Sequence, residues 1–287
     1  MKTICEMFED FRLLSPQGKE AIQQYCLYIL EKAADELLQA LRNQHGDGSL
    51  YAPQEANIQI QRLICHVVIS NLHRSRSCMF HGSNDLFSDI LAHCDRFSDA
   101  NNRGDAILTT SQATPIRFTF STEYILYLFF VATECHSLAV RSKAIDALRR
   151  CCRREKFWDS FHAASVAEWL LHEEEKKRKH QRQESKDLPG NRLVLSSLQL
   201  FQEDDVLLAF RRPGWARVEV EDVQGLKEYW IHIGEAVFGG PPPKSTPRSP
   251  TNRRLCLTLS NPIWPAAAKT MGQMCMFGEI RTLMDLP

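Results

Sequence analysis

Apolar side chains recur every three or four residues through the first hundred positions, a pattern that predicts amphipathic helices. Ser15 and Pro16 form a helix start, with a capping hydroxyl before a proline suited to the first turn. Gly46 and Gly48 mark the predicted end of this helix. Its predicted buried stripe is Ile22, Cys26, Ile29, Ala33, Leu37 and Leu41.

Two further helices are predicted before residue 105. Pro53 opens the second helix, whose apolar face carries Ile60, Leu63, Ile64, Val67 and Leu72. Asn84 is predicted to cap the third, and residues 101–105 form a predicted loop. The stripe of the third helix is Leu86, Phe87, Ile90, Leu91, Cys94 and Phe97.

Residues 124–131 are apolar on nearly every side and indicate either a central strand or a wholly buried helix. Helical patterns on both sides favour the buried helix. Ser137 is predicted to cap the next helix, which carries Val140, Ala144, Ile145 and Leu148. A last helix is predicted from about Glu155, with Trp158 and Trp169 beside its apolar face, and it continues into the charged residues 172–182.

The pattern changes after residues 187–190, where Asp-Leu-Pro-Gly ends the helical series. Residues 215–220 and 229–233 alternate with period two and predict a β-hairpin. Residues 239–250 are rich in proline and read as a disordered linker. We therefore expect an all-α protein of packed antiparallel helices with a small C-terminal β-hairpin and a disordered tail. The predicted domains are a helical regulatory domain over 1–186, a small mixed appendage over 187–237, and a linker with an unstructured tail over 238–287.

Charge and composition narrow the functional classes. The 287 residues include 35 Lys and Arg and 35 Asp and Glu, and this balance argues against electrostatic binding of nucleic acid by the molecule as a whole. Glu6, Glu9 and Asp10 interrupt any signal-peptide core, and the longest apolar run is about half of a membrane span. We expect no membrane contact, a nuclear or cytoplasmic location, and ten reduced cysteines.

No pattern for catalysis or cofactor binding emerges. The chain has no Gly-X-Ser-X-Gly, no phosphate-cradling glycine loop and no dinucleotide fingerprint. His172 and Glu173 begin a zinc-protease motif, but Lys176 stands where its second histidine belongs. We expect a protein that is not an enzyme and carries no cofactor.

Cysteines and histidines cluster over residues 65–94, and of these only Cys78 and His81 have a short ligand spacing. Cys65 and Cys94 fall on apolar helix faces. We therefore interpret the cluster as core cysteines with surface histidines, and we expect no metal site.

Two basic stretches suggest contacts with acidic partners. The first, named the basic run below, is Lys176, Lys177, Arg178 and Lys179, and it resembles a nuclear localisation signal. The competing interpretation is a solvated helix end, because Glu173, Glu174 and Glu175 precede the last three of these cations by four residues each. The second stretch, residues 141–156, holds seven cations against Asp146 and Glu155, without a recognisable DNA-reading helix.

Residues 118–175 carry a resemblance to a known family. They resemble the fungal-specific transcription factor domain, the C-terminal regulatory region of fungal zinc binuclear cluster transcription factors. His136 stands where the family pattern has arginine, and Lys156 where it has glycine. The matching residues are Ala132, Thr133, Cys135, Arg141, Ala144, Ile145, Leu148, Arg153, Arg154, Glu155, Trp158, Asp159, Ser160, Val166, Ala167, Glu168, Trp169, Glu173 and Glu174.

The resemblance implies a nuclear regulatory protein, in line with a role in a secondary-metabolite gene cluster. It would act through protein partners of the transcription machinery, through a DNA-binding regulator, or through a small-molecule signal. The family's zinc cluster needs six closely spaced cysteines, and this sequence contains no Cys-X-X-Cys. We therefore expect no sequence-specific DNA binding by this chain alone, whether it is a natural regulator without that module or a truncated gene model. The alternatives are an accessory enzyme of secondary metabolism, with a site that is not recognisable from the sequence, and a cytoplasmic interaction scaffold.

For the family-motif residues we expect structural roles. Trp158 and Trp169 are eleven residues apart and would share one helix face, with Trp158 packed on the buried run 124–131. Arg153 and Arg154 would bond to Glu168 or to carbonyls at a helix end. A pocket for a ligand or partner on the same helices is the other interpretation of the set Arg153, Arg154, Glu155, Trp158, Asp159, Glu168 and Trp169.

Overall fold

The chain folds into two compact units, one comprising Met1–Thr109 with Ile263–Pro287 and the other Thr110–Pro262. The computed structural model describes residues 14–45, 52–71, 80, 82–105, 117–119, 124–151, 153–155, 158–181, 193–203, 214–222, 225–233 and 253–260. These ranges contain six helices and seven strands, so the predicted predominance of helix with a small antiparallel β part is confirmed. None of the helices in these ranges is both long enough and apolar enough to cross a bilayer.

The first unit contains helices α1 (Pro16–His45), α2 (Ala52–Asn71) and α3 (Asn84–Asp105). The predicted start of α1 is confirmed, because the amide of Gly18 donates to Ser15 Oγ at 3.2 Å and the amide of Lys19 donates to the Ser15 carbonyl at 2.9 Å. The first bond satisfies an amide that has no partner within the helix, and the second is the first regular hydrogen bond of the helix.

The buried side of α1 differs from the predicted stripe. Leu30, Ala34 and Leu38 are the buried positions, whereas Ile22 is 42% exposed. Leu30 and Ala34 pack with Cys65 and Ile69 of α2. The helix carries apolar residues on more than one side, so spacing alone does not say which side meets a neighbour.

Helices α2 and α3 bury most of the faces predicted for them, including Ile60 and Ile64 on α2 and Phe87 and Ile90 on α3. Leu86 is only half-buried, and Leu72 lies outside the described residues. The amide of Phe87 donates to the Ser83 carbonyl, so Ser83 rather than Asn84 is the capping residue. The predicted loop at 101–105 is wrong, because α3 continues through it. Asparagine and glycine disfavour helix only weakly, and an established helix overrides such a preference.

The second unit contains helices α4 (Tyr124–Glu134), α5 (Leu138–Cys151) and α6 (Ser160–Gln181), which contact one another pairwise. Nearly every residue of α4 is buried, which confirms the wholly buried helix. Ser137 precedes α5 as predicted, and its carbonyl accepts from the amide of Arg141 at 3.0 Å.

Three short strands form a small sheet, and two of them lie immediately before α6 in the chain. They are β1 (Arg117–Thr119), β2 (Arg153–Glu155) and β3 (Trp158–Asp159), with β2 parallel to β1 and antiparallel to β3. The predicted helix start at about Glu155 is therefore wrong. Trp158 precedes α6 by two residues, so it does not share a helix face with Trp169. The side chain of Trp158, and its predicted packing on 124–131, lie outside the described residues.

A four-stranded antiparallel sheet completes the second unit, with strand order β6-β5-β4-β7. The predicted hairpin is confirmed as β5 (Gly214–Asp222) and β6 (Gly225–Ile233). Strands β4 (Val194–Glu203) and β7 (Arg253–Ser260) were not predicted, and β7 lies within the expected tail. The other tail residues, 238–252 and 261–287, lie outside the described ranges, and the predicted domain boundaries after 186 and 237 stay predictions.

Candidate functional site

The family-motif residues concentrate in the connection between α5 and α6. We call residues 153–160 the motif segment. Its two strands pair with each other, Glu155 opposite Trp158, and Arg154 of β2 pairs with Phe118 of β1. The segment is therefore held by backbone hydrogen bonds to a strand more than thirty residues earlier in the chain.

Glu155 caps the buried helix α4. The amide of Ile125, in the first turn of α4, donates to Glu155 Oε2 at 3.0 Å, and Glu155 itself is buried. The first amides of a helix lack partners within the helix and carry a partial positive charge, which suits a carboxylate. A charged motif residue is thus used to complete a helix that is apolar on nearly all sides.

Asp159 performs the same task for α6. Its Oδ1 accepts from the amide of Phe161 at 2.8 Å and from the amide of His162 at 3.3 Å. This is the geometry of an Asp capping residue immediately before a helix. Both carboxylates of the motif segment therefore serve as helix caps, a role that our sequence analysis did not assign to them.

A buried ion pair joins three helices and the sheet. Arg141 on α5 bonds to Glu174 on α6, and each side chain is only 2% exposed. Arg141 Nε also donates to the carbonyl of Ala132 at 2.7 Å, near the end of α4. Glu174 Oε1 accepts from the amide of Leu193, just before β4, at 3.2 Å. We call this arrangement of Arg141, Glu174, the Ala132 carbonyl and the Leu193 amide the Glu174 clasp.

Among the described side chains, Glu168 pairs with Arg149 of α5 rather than with the predicted Arg154, and this pair is more than one-third exposed. Arg154 is half-buried, and its Nε atom has no hydrogen-bond partner among the residues that the structure describes. The side chain of Arg153 lies outside those residues.

Trp169 connects α6 to the sheet. Its ring lies 5.0 Å from the ring of Tyr229 on β6, centroid to centroid, in a tilted arrangement. Both side chains are half-buried. Tilted aromatic pairs at this distance are favourable beyond the apolar area that they bury, so Trp169 packs one face of the sheet on α6.

A charge cluster lies on the hairpin. Glu219 and Glu228 are directly opposite in the register of β5 and β6, and Arg217 bonds to both, at 3.2 Å and 2.6 Å. Like charges directly opposite destabilise a strand pair, so Arg217 offsets that repulsion. The hydrogen bond to Glu228 raises the pKa of Arg217 further above its ordinary value.

The basic run lies in the last turns of α6. Lys176 Nζ is 2.6 Å from Glu173 Oε1, and an Arg178 nitrogen is 3.7 Å from Glu174 Oε2. Lys176 and Lys179 are exposed, and Lys177 and Arg178 are half-buried. Glu174 thus contacts Arg178 at the predicted spacing of four residues, but it is buried in the clasp and not solvated as predicted.

In the second basic stretch, residues 141–156, two of the cations are paired with carboxylates of α6. Arg141 is buried in the clasp and Arg149 is paired with Glu168, whereas Lys143 and Arg150 are exposed. Among the described side chains of α5, fewer cations are therefore available to contact an acidic partner than the sequence predicts.

The predicted core positions of Cys65 and Cys94 are confirmed, since both are buried. Within the described part of the chain, no three His, Cys, Asp or Glu side chains come together in a way that suits a metal ion. His73, Cys78 and His81 lie outside the described residues.

Part of this chain is similar to part of a fungal transcription regulator. Over 64 residues, 22% of its length, it is 38% identical to the aspercryptin biosynthesis cluster-specific transcription regulator atnN of Emericella nidulans. The match covers 10% of that regulator, so the chain spans about a tenth of the length of the curated relative that it matches. No family model matches the chain, and no solved structure matches it.

The sequence pattern singles out the motif segment, but it predicts helix from about Glu155 where the structure has two strands, and it does not indicate the clasp. Arg141 and Glu174 both belonged to the recognised pattern, yet they are 33 residues apart and nothing in their spacing pairs them. One available signal was the position of Arg141, four residues after the capping Ser137 and in line with Ala144, Ile145 and Leu148 on the apolar face of α5. A charged residue among buried positions requires a buried partner.

Proposed function

We propose that this chain serves as the regulatory part of a fungal-type transcription regulator, acting on a secondary-metabolite gene cluster through protein partners or a small-molecule signal. The observation that carries the proposal is its partial identity with a cluster-specific transcription regulator. The resemblance of residues 118–175 to the fungal-specific transcription factor domain supports the same conclusion.

The roles of the motif residues favour a binding scaffold over a catalyst. Glu155 and Asp159 accept backbone amides, and the pairs Arg141–Glu174 and Arg149–Glu168 neutralise each other. These polar groups are used to hold helices in place. A catalytic site would instead leave such groups directed at a reacting substrate.

The proposed partners are proteins of the transcription machinery or a DNA-binding regulator. Net charge is zero, and Arg141 and Arg149 are already paired with carboxylates. We therefore propose that DNA sequence is read by a partner rather than by this chain alone, which should show only weak, salt-sensitive DNA binding.

The proposed location is the nucleus, with the basic run as the import signal. A signal of this kind consists of clustered cations that fit an acidic receptor groove. The run lies at the end of α6, where Lys176 and Lys179 are exposed.

A tethering experiment tests the regulatory role. The chain is fused to a heterologous DNA-binding module in a fungal host, and the output of a reporter carrying the module's binding sites is measured. We expect a change of at least several-fold relative to the module alone. The matched control is the same fusion with Glu174→Ala, which should fold poorly and lose the effect. Unchanged reporter output by a well-expressed, folded fusion would contradict the proposal.

A further inference from the structure

We propose that the end of α6, residues 176–181, is a conformational switch: its helical form points the cations of the basic run in different directions and pairs two of them with carboxylates, and unwinding aligns them as an import signal. This inference rests on the import role proposed above. It concerns how that signal is regulated rather than whether the chain is a regulator.

The helical form presents the four cations in different directions. Successive residues of a helix are about 100° apart around its axis, whereas an extended peptide rises by about 3.3 Å per residue along one line. All four residues of the run lie within the helix Ser160–Gln181. A groove that reads consecutive side chains of an extended peptide therefore cannot engage Lys176, Lys177, Arg178 and Lys179 together.

Carboxylates of the same helix also compete with an acidic receptor. Lys176 contacts Glu173 at 2.6 Å, and Arg178 lies 3.7 Å from Glu174. A receptor must replace these intramolecular partners with its own acidic groups. Unwinding residues 176–181 separates the cations from both carboxylates and aligns them.

The Glu174 clasp confines this unwinding. Glu174 is held by Arg141 and by the amide of Leu193, so α6 is fixed at Glu174, just before residues 176–181. Helix ends open more readily than packed interiors. Residues after the clasp can therefore unwind while the packing of α4, α5 and the preceding part of α6 is retained.

The consequence is a reduced apparent affinity for the import receptor. Binding to a minor conformation is weakened by the fraction of molecules that adopt it. Any event that unwinds the helix end would raise that fraction and favour nuclear entry.

The test compares variants of the full chain for binding to recombinant importin α, measured by fluorescence anisotropy. His180→Pro leaves the basic run intact but breaks the helix end, because proline removes one helical hydrogen bond and clashes with the preceding turn. Its matched control is His180→Ala, which removes the same imidazole and keeps the helix. We expect His180→Pro to bind at least about tenfold more tightly than the wild-type chain, and His180→Ala to bind no more tightly than wild type.

A second variant serves if the proline prevents folding, which circular dichroism and thermal melting would reveal. Glu173→Gln removes the partner of Lys176 without breaking the helix, and it should tighten binding roughly twofold. Equal affinity for wild type, His180→Pro and Glu173→Gln, all folded, would overturn the switch.

Failure of the underlying import role has a different signature. Lys177→Thr with Arg178→Thr, placed in the His180→Pro chain, should abolish the gain in binding. If that combined variant binds as tightly as His180→Pro, or if no variant binds at all, the basic run is not the signal and the switch is overturned with it.

Discussion

At the scale of single residues, burial of a carboxylate and a guanidinium removes their hydration, and only good mutual geometry compensates. Glu174→Ala would leave the charge of Arg141 buried without its partner. We expect a loss of about 3–5 kcal/mol in the free energy of unfolding, measured by chemical denaturation. Glu173→Ala, one position away and paired with an exposed lysine, should change it by no more than about 0.5 kcal/mol.

Replacing both Arg141 and Glu174 distinguishes the cost of an unpaired buried charge from the cost of lost packing. Replacing both partners, Arg141→Met with Glu174→Leu, should recover only part of the stability lost in Glu174→Ala: no unpaired charge remains, but the Leu193 amide still lacks its acceptor. The clasp would prove to be a minor contact if Glu174→Ala and Glu173→Ala unfolded at the same denaturant concentration.

The cap formed by Asp159 can be tested by a conservative pair of variants. Asp159→Ala removes the acceptor for the amides of Phe161 and His162 and should cost about 1 kcal/mol. Asp159→Asn keeps an acceptor oxygen and should retain most of the stability. Thermal melting compares the two, and equal losses in both variants would show that the charge rather than the hydrogen bond matters.

His93 on α3 makes the first unit sensitive to acid. Burial lowers its pKa from 6.5, with Arg96 and then Arg62 acting in the same direction and Asp89 and Glu55 opposing. The unfolded chain therefore takes up this proton at higher pH than the folded chain does. The stabilising contribution is complete above about pH 6.5 and is lost as the pH falls through the lowered pKa of the folded state.

The predicted observation is a decline in unfolding free energy between pH 7 and pH 5 that is shallower in His93→Gln than in the wild-type chain. The comparison is made at constant ionic strength, so that general charge effects are shared by both proteins. Parallel pH profiles for the two chains would contradict a protonation linked to His93.

At the scale of elements, the hairpin of β5 and β6 depends on one cation between two opposed carboxylates. Arg217→Ala would leave Glu219 facing Glu228 and should lower stability by about 1 kcal/mol. The loss should shrink in 1 M salt, which screens the repulsion. Arg150→Ala, at an exposed position on α5, is the control and should be nearly neutral. If the loss of stability in Arg217→Ala does not depend on salt, the aliphatic part of the Arg217 side chain stabilises the hairpin by packing instead.

The helices were predictable because their apolar faces repeat locally, whereas the sheet was only half predicted. Strand β4 contains a register shift between Leu195 and Ser197, which interrupts the alternation on which a strand prediction depends. Strand β7 did carry a usable signal, since Leu255, Leu257 and Leu259 alternate strictly, and our prediction overlooked it.

The candidate site was predictable in position but not in chemistry. The motif segment stood out from its sequence, yet Glu155 bonds to an amide 30 residues earlier and Glu174 to an arginine 33 residues earlier. Such pairings are set by how helices pack in three dimensions. Residue spacing along one helix carries no information about them, which is why Glu174 was predicted to be solvated.

Within the second unit as a whole, a layer of helices packs against a four-stranded sheet. Glu174 bonds to the amide at the start of β4, and Trp169 packs on Tyr229 of β6. Motif residues on one helix thus hold helices and sheet together.

The proposed role in transcription is tested most directly by transcript sequencing in the fungal host after deletion of the gene for this chain. We expect coordinated changes in a contiguous set of biosynthetic genes, restored by the wild-type chain but not by Glu174→Ala. Unchanged transcripts together with an altered metabolite profile would contradict the proposed role and identify the protein as an enzyme of the pathway instead.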